Sequence, residues 1–236
     1  MSADTTICSE LNQFYEIRAK AAIKNLERKN MDGYFVHNRQ EALELVMSLI
    51  PLEAVVGRGD SVTLNQIGII EELQRRGQNR IINPVETDDE GHHPPKEERR
   101  QRQREALLSD VYLTSTNALT LGGSLVNIDG AGNRVAAMSF GPKKVVVIAG
   151  GNKIVNDVEE ALQRIHNSIS IINSLRHYAK HGQAEAIERP CIKLGKCTDC
   201  FYEWRVCRHT SIIDGCQPAE KGRISVILVC ENLGIS

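Results

Sequence analysis

Aromatic side chains make up only 4% of the 236 residues. The core must therefore be built from Leu, Ile, Val and Ala. No apolar run approaches the roughly 20 residues that a bilayer-crossing helix needs, so no membrane span is expected. The first sixteen residues, "MSADTTICSELNQFYE", lack a basic stretch followed by an apolar one. No secretory signal is expected there, and the expected location is cytoplasmic. Neither charge sign dominates: the net charge is −1 and the pI near 6.7, which gives no support for a nucleic-acid partner or a charged membrane surface. The chain also lacks the G-x-G-x-x-G and Walker A loops that cradle phosphates. No Ser-His-Asp or Cys-His arrangement can be assembled, so catalytic residues stay unassigned.

Strands alternating with helices are present instead. "SELNQFYEIRAKAAIKNLERKN" is an amphipathic N-terminal helix, over about residues 8–30. "GYFVH", "LEAVVG", "RIINP", "DVYLTS", "KKVVVIAG" and "GRISVILVCENLGI" read as strands. Between them, "RQEALELVMSLI", "SVTLNQIGIIEELQRRG" and "DVEEALQRIHNSISIINSLRHYAKH" read as helices, the last capped by Asn156 or Asp157. This order predicts a mixed, largely parallel sheet with helices on both faces, as one unit over residues 1–236. The basic run "ERRQRQR" (Glu98 to Arg104) follows the acidic "ETDDE" (Glu86 to Glu90) and reads as a solvated helix face.

Two glycine-rich stretches stand out. "VVGRGDSVTL" contains the triplet of a cell-adhesion peptide, but it sits at a strand-to-helix junction in a chain without a recognisable export signal. Its physical content is a tight turn at Gly57 and Gly59, followed by a helix capped by Asp60 or Ser61. A helix start of this kind is either a structural cap or an anion site over Gly57 to Thr63. "NALTLGGSLVNIDGAGN" (Asn117 to Asn133) places glycines at 122, 123, 130 and 132, in two pairs around the β-like "SLVNI". It reads as a strand between two tight turns, each either structural on its own glycine pair or a wall of a ligand site.

Seven cysteines, an odd number without an export signal, argue against a disulfide framework. Four of them, Cys191, Cys197, Cys200 and Cys207, form C-x5-C-x2-C-x6-C in a segment of about 188–218 with little periodicity. Four thiolates at this spacing suit an iron–sulfur cluster, with zinc as the alternative. Lys193, Lys196, Arg205 and Arg208 would offset their charge. Cys216 is a possible substitute ligand, whereas Cys230 lies in an apolar strand and reads as structural.

The stretches Val55–Gly77, "DVYLTSTNALTLGGSLVNIDGAGNRVAAMSFGPKKVVVIAGGNKIV" and Gly222–Ile235 together resemble the LUD domain family of lactate-utilisation proteins. The resemblance runs from about Tyr15 to the end, and the cysteine block marks a subgroup. It implies a fold like that of the glucosamine-6-phosphate deaminase, ribose-5-phosphate isomerase and CoA-transferase group. It also implies a part in L-lactate oxidation to pyruvate, beside iron–sulfur oxidoreductase subunits. In that fold small ligands sit against the glycine loops, which sets Gly57, Gly59, Ser61 and Thr63 opposite Thr116, Asn117, Gly122, Gly123, Asn127 and Asp129.

Arg134 then either pairs with a small carboxylic acid or forms a salt bridge to Asp129. Three functions follow as expectations. The first is an accessory or electron-transfer component of lactate oxidation using the four-cysteine site. The second is a standalone isomerase- or transferase-type enzyme on a phosphorylated or CoA-linked acid, with structural zinc. The third is a non-catalytic sensor or scaffold.

Overall fold

The computed structural model describes residues 3–181 and 184–235. Ten strands occur among them: β1 Asp32–Val36, β2 Val55–Arg58, β3 Arg80–Ile82, β4 Val111–Thr114, β5 Ala118–Thr120, β6 Leu125–Asp129, β7 Lys144–Gly150, β8 Ile154–Val155, β9 His209–Ile213 and β10 Ile224–Val229. The helices are α1 Ala3–Arg28, α2 Arg39–Leu49, α3 Val62–Ile67, α4 Ile69–Arg76, α5 Lys96–Glu105, α6 Asn133–Ser139, α7 Val158–Arg164, α8 Ser170–His181, α9 Ala184–Ile187 and α10 Pro190–Leu194. No helix among the described residues is long and apolar enough to cross a membrane.

Six strands form one sheet in the order β1-β10-β7-β4-β2-β3, and every pairing in it is parallel. The cause is visible in the sequence, because a parallel strand covered on both faces needs apolar residues at every position. β7 and β10 supply them at all positions but Lys144 and Ser225, and β10 is buried along its whole length. Successive side chains alternate between faces. Tyr112, Val145, Val147 and Val226 pack under α1 and α6 with Ala22, Leu26 and Met138. Val111, Leu113, Val146 and Ile148 pack against α2, α3 and α4 with Val46, Leu64 and Leu73.

A second sheet, β8-β5-β6-β9, stands beside the first. β5 and β6 are antiparallel around the Gly122–Gly123 turn, and β9 adds antiparallel to β6. α7 and the turn that follows cover this sheet through Ala161, Ile165 and Ile169.

Two elements differ from the sequence expectation. The helix expected over 61–77 is two helices, because Gly68 adopts the left-handed region (φ 78°, ψ 26°) and caps α3 with bonds to Leu64 and Asn65 carbonyls. The long helix expected from Asp157 to His181 is divided by a π-helical turn at Ile165–Ile169. Such turns add one residue to the helical register and re-aim the side chains beyond them. The expected cap of that helix is present, with Asp157 accepting from Glu160 N at 2.9 Å.

Candidate functional site

The parallel strands of the first sheet end together, and the loops beyond those ends enclose a cleft of about 360 Å³. This is where ligands of open parallel sheets ordinarily bind. Arg58 closes β2, Ser115, Thr116 and Asn117 follow β4, and Lys153 follows β7. Gly130, Ala131, Asn133 and Arg134 enter from the second sheet, and Ile169, Asn173, Arg176 and His177 from the π-turn and α8.

Ser61, Thr63, Thr116, Asn117, Asp129 and Arg134, all expected from the sequence, line this cleft. Gly57, Gly59, Gly122, Gly123 and Asn127 do not line it. Gly57 packs against Ala106 and Ser109, and Gly59 against Tyr112 and Thr114. Gly123, at φ 83°, lets the hairpin press on the backbone of Asn25 and Leu26 in α1. It is the second turn, at Gly130 and Ala131, that faces the cleft. Asn127 is fully buried and braces the wall from behind, its Oδ1 accepting from Asn117 N and Thr116 Oγ1.

Of the two roles open to Arg134, the structure contains the salt bridge. Its Nη2 lies 2.6 Å from Asp129 Oδ1, in a pair whose side chains are 18% and 9% exposed. Its remaining donors reach Asn117 Oδ1 and the carbonyls of Ser115 and Ile128. Ser61 caps α3, accepting from Leu64 N. Asp60 turns to α8, where it meets Arg176 Nη2 at 2.5 Å and Lys180 Nζ at 3.3 Å. Burial pushes the Asp60 carboxyl up, but these two cations outweigh it and hold the group below the usual carboxylate range.

The cleft is strongly cationic. Arg58, Arg134, Lys153 and Arg176 line its interior, and α5 contributes Lys96, Arg99 and Arg100; Asp60 and Asp129 are the acids in the lining. The acidic stretch upstream does compensate α5 in part, through Glu86 with Arg102, which also pairs with Glu98 one turn back in the helix. The face carrying Lys96, Arg99, Arg100 and Gln103 instead turns into the cleft. Among the described residues these three cations make no ion pair, and Arg99 Nε is buried without a hydrogen-bond partner. Their spacing of three and four residues was the available signal.

Lys153, which sequence reasoning passed over, is buried in the wall of the cleft. It is 5% exposed, and its Nζ donates to Thr63 Oγ1 at 3.0 Å and Ser115 Oγ at 2.7 Å. Burial, helped by Arg164 and Arg134, lowers its pKa from 10.5 to about 7. Between those two values the unfolded chain holds one proton more than the folded chain, so this residue makes stability rise with pH from about 7 to 10.5. Below 7 the cost of the buried charge is present in full. The stability of the wild type relative to Lys153→Met should therefore improve as pH rises from neutral; parallel denaturation curves at every pH would contradict this.

The four cysteines Cys191, Cys197, Cys200 and Cys207 are all half-buried free thiols. Burial pushes the Cys191 and Cys207 thiols up, and the other thiols of the segment add to it. His166 Nδ1 lies 3.3 Å from Cys197 Sγ. Among the described residues, no three His, Cys, Asp or Glu side chains converge on one point as a metal would require. Cys216 stands apart, tied through its backbone to Lys29 and Asn30 below α1. The segment is fastened to the cleft: β9 pairs His209 with Asp129, Arg208 N donates to Asp129 O, and Val206 lines the wall.

The model of the LUD domain family matches residues 19–229. Among solved structures, a DUF162 family protein from Deinococcus radiodurans is similar at 13% identity and a TM-score of 0.47, over 92% of this chain and 98% of that one. No curated protein matches the sequence.

Proposed function

This chain belongs to the LUD domain family, which is associated with lactate utilisation, and we propose that it is an accessory or electron-transfer component of L-lactate oxidation to pyruvate. On this reading Cys191, Cys197, Cys200 and Cys207 hold an iron–sulfur cluster, and the cationic cleft receives the small carboxylic acid. Iron–sulfur oxidoreductase subunits are the expected partners. The observation that carries the reading is the fastening of the cysteine segment to the cleft through the β6–β9 pairing. Val206 and Arg208, which flank Cys207, lie against the wall of that cleft.

Four thiols are suited in kind to a cluster, which when bound would supply one-electron transfer. The chain's own residues do the rest. Burial pushes the Cys191 and Cys207 thiols up, and the positive charges of Arg189 and Arg205 beside them oppose that push in part. Arg99 and Arg100 offer guanidinium donors to a carboxylate.

Anaerobic purification followed by iron and acid-labile sulfide analysis tests this. The expected protein is brown, bleaches with dithionite, and loses iron when Cys197 and Cys200 are both replaced by Ser. Deletion of the gene is expected to impair growth on lactate. A colourless protein carrying one zinc ion per chain would instead support a standalone isomerase- or transferase-type enzyme on a phosphorylated or CoA-linked acid. The excess of cations over acids in the cleft lining favours that second reading, since more than one negative charge is needed to balance it.

A further inference from the structure

We propose that Lys153 captures carbonyl compounds: its Nζ adds to the carbonyl carbon of a small anionic 2-oxo acid or phosphorylated carbonyl compound and forms a reversible imine in the cleft. This rests on the reading of the cleft as the site of a small acid.

A buried lysine that serves structure alone is ordinarily paired with a carboxylate. Lys153 is not. Asp60 is engaged by Arg176 and Lys180, and Asp129 by Arg134. The charges acting on Lys153 are those of Arg164 and Arg134, both positive. What holds the amine are two hydroxyls, Thr63 Oγ1 and Ser115 Oγ. A neutral amine has two N–H bonds and one lone pair. With both N–H groups donated to these hydroxyls, the lone pair is left in the remaining tetrahedral direction, fixed in aim by the other two. Room beside the amine is kept by Gly234, where a Cβ would come within 2.8 Å of Nζ. A pKa of about 7 means that a large share of the amine is unprotonated at neutral pH.

The cleft complements this nucleophile with an anion-binding wall. Arg99 and Arg100 on α5 line the same space without ion-pair partners among the described residues. A 2-oxo acid carries its carboxylate directly on the carbonyl carbon, so one molecule satisfies the cations and presents an electrophile. The amine's electron pair forms the C–N bond as the carbonyl oxygen takes up a proton, giving a carbinolamine. That hydroxyl then leaves as water, and the two protons of the original amine account for the two in the water released. No oxidant or reductant is consumed.

The test uses the full chain with pyruvate, and separately with pyridoxal phosphate as a phosphorylated carbonyl probe, each followed by sodium borohydride and peptide mapping. The expected result with at least one probe is a reduced adduct on Lys153, labelled about tenfold or more above the exposed lysines at pH 8, because those remain almost fully protonated there. Borohydride alone should leave the peptide unlabelled, and Lys153→Arg should abolish the adduct. Because the position of the adduct is read in the wild type, the answer does not depend on how well that variant folds. Binding of a probe by calorimetry without a Lys153 adduct overturns the imine and leaves the acid site intact. Absence of both binding and adduct with both probes overturns the two together.

Discussion

Replacing Asp129 by alanine is expected to destabilise the fold by about 3–5 kcal/mol, the usual result of removing one partner of a buried ion pair. Three donors converge on this carboxylate. Oδ1 accepts from Arg134 Nε and Nη2 at 2.9 and 2.6 Å, and Oδ2 accepts from Val135 N at 3.0 Å. The last of these satisfies an amide of the first turn of α6, which Gly132 at its N-cap cannot do, having no side chain. Truncation thus leaves a guanidinium 18% exposed without its counter-charge, together with an unsatisfied amide. Denaturant midpoints of Asp129→Ala, Arg134→Met and the double variant should show strong coupling, the double variant costing clearly less than the sum. A loss for Asp129→Ala within the range of a surface pair, about 0–1 kcal/mol, would refute the description of the pair. The cleft should suffer as well, because Arg134 fixes Asn117 and the Ser115 carbonyl.

The second large effect is expected from Gly150→Ala. This glycine ends β7 with an ordinary backbone (φ −73°, ψ 158°), so the obstacle is space and not conformation. A Cβ there would fall against Glu231 O, Asn152 Oδ1 and Leu233 N, the last at 2.6 Å. Two of these are backbone atoms of the segment after β10. That segment is tied to the turn by Gly151 N to Glu231 O and by Leu233 N to Asn152 Oδ1, each at 3.1 Å. Neither side can yield without breaking those bonds, so the cost should lie at or above the upper end for overpacking, about 3 kcal/mol. Lys153 is three residues on, so labelling of its amine should fall even in the fraction that folds. A variant as stable as the wild type, with Lys153 equally reactive, would contradict this account of the turn.

The sheet was legible because its strands are buried on both faces. Within "KKVVVIAG" and "GRISVILVCENLGI" the strands β7 and β10 hold one polar residue each, Lys144 and Ser225, and that pattern admits few other structures. β9 was not legible, since "HTSII" is half-exposed and lies in a cysteine-rich stretch without a clean alternation. Gly68 was missed because "QIGII" keeps a helical spacing of apolar residues through the break. In the cleft, Thr63, Asn117 and Asp129 could be reached through the glycine loops beside them. Lys153 could not, because nothing in "GGNKIV" indicates that a cation after an apolar strand will be buried. Its environment comes from Thr63 and Ser115, 90 and 38 residues away. Recognising that the ends of parallel strands converge would have pointed to it.

The strand order carries a consequence for how the molecule is made. β10, the last strand, lies between β1 and β7, with Asp32 facing Ser225 and Val145 facing Ile224 across it. During synthesis β1 emerges early, but its partner arrives only after almost two hundred further residues. Until then β7 presents an open parallel edge that is apolar beyond Lys144, the kind of surface that recruits other chains. Contacts this distant in sequence also slow folding, since the loop must be closed before the pairing stabilises it. The nascent chain is therefore most exposed to misassembly in the interval before Ile224–Val229 is available, when the centre of its sheet is still empty.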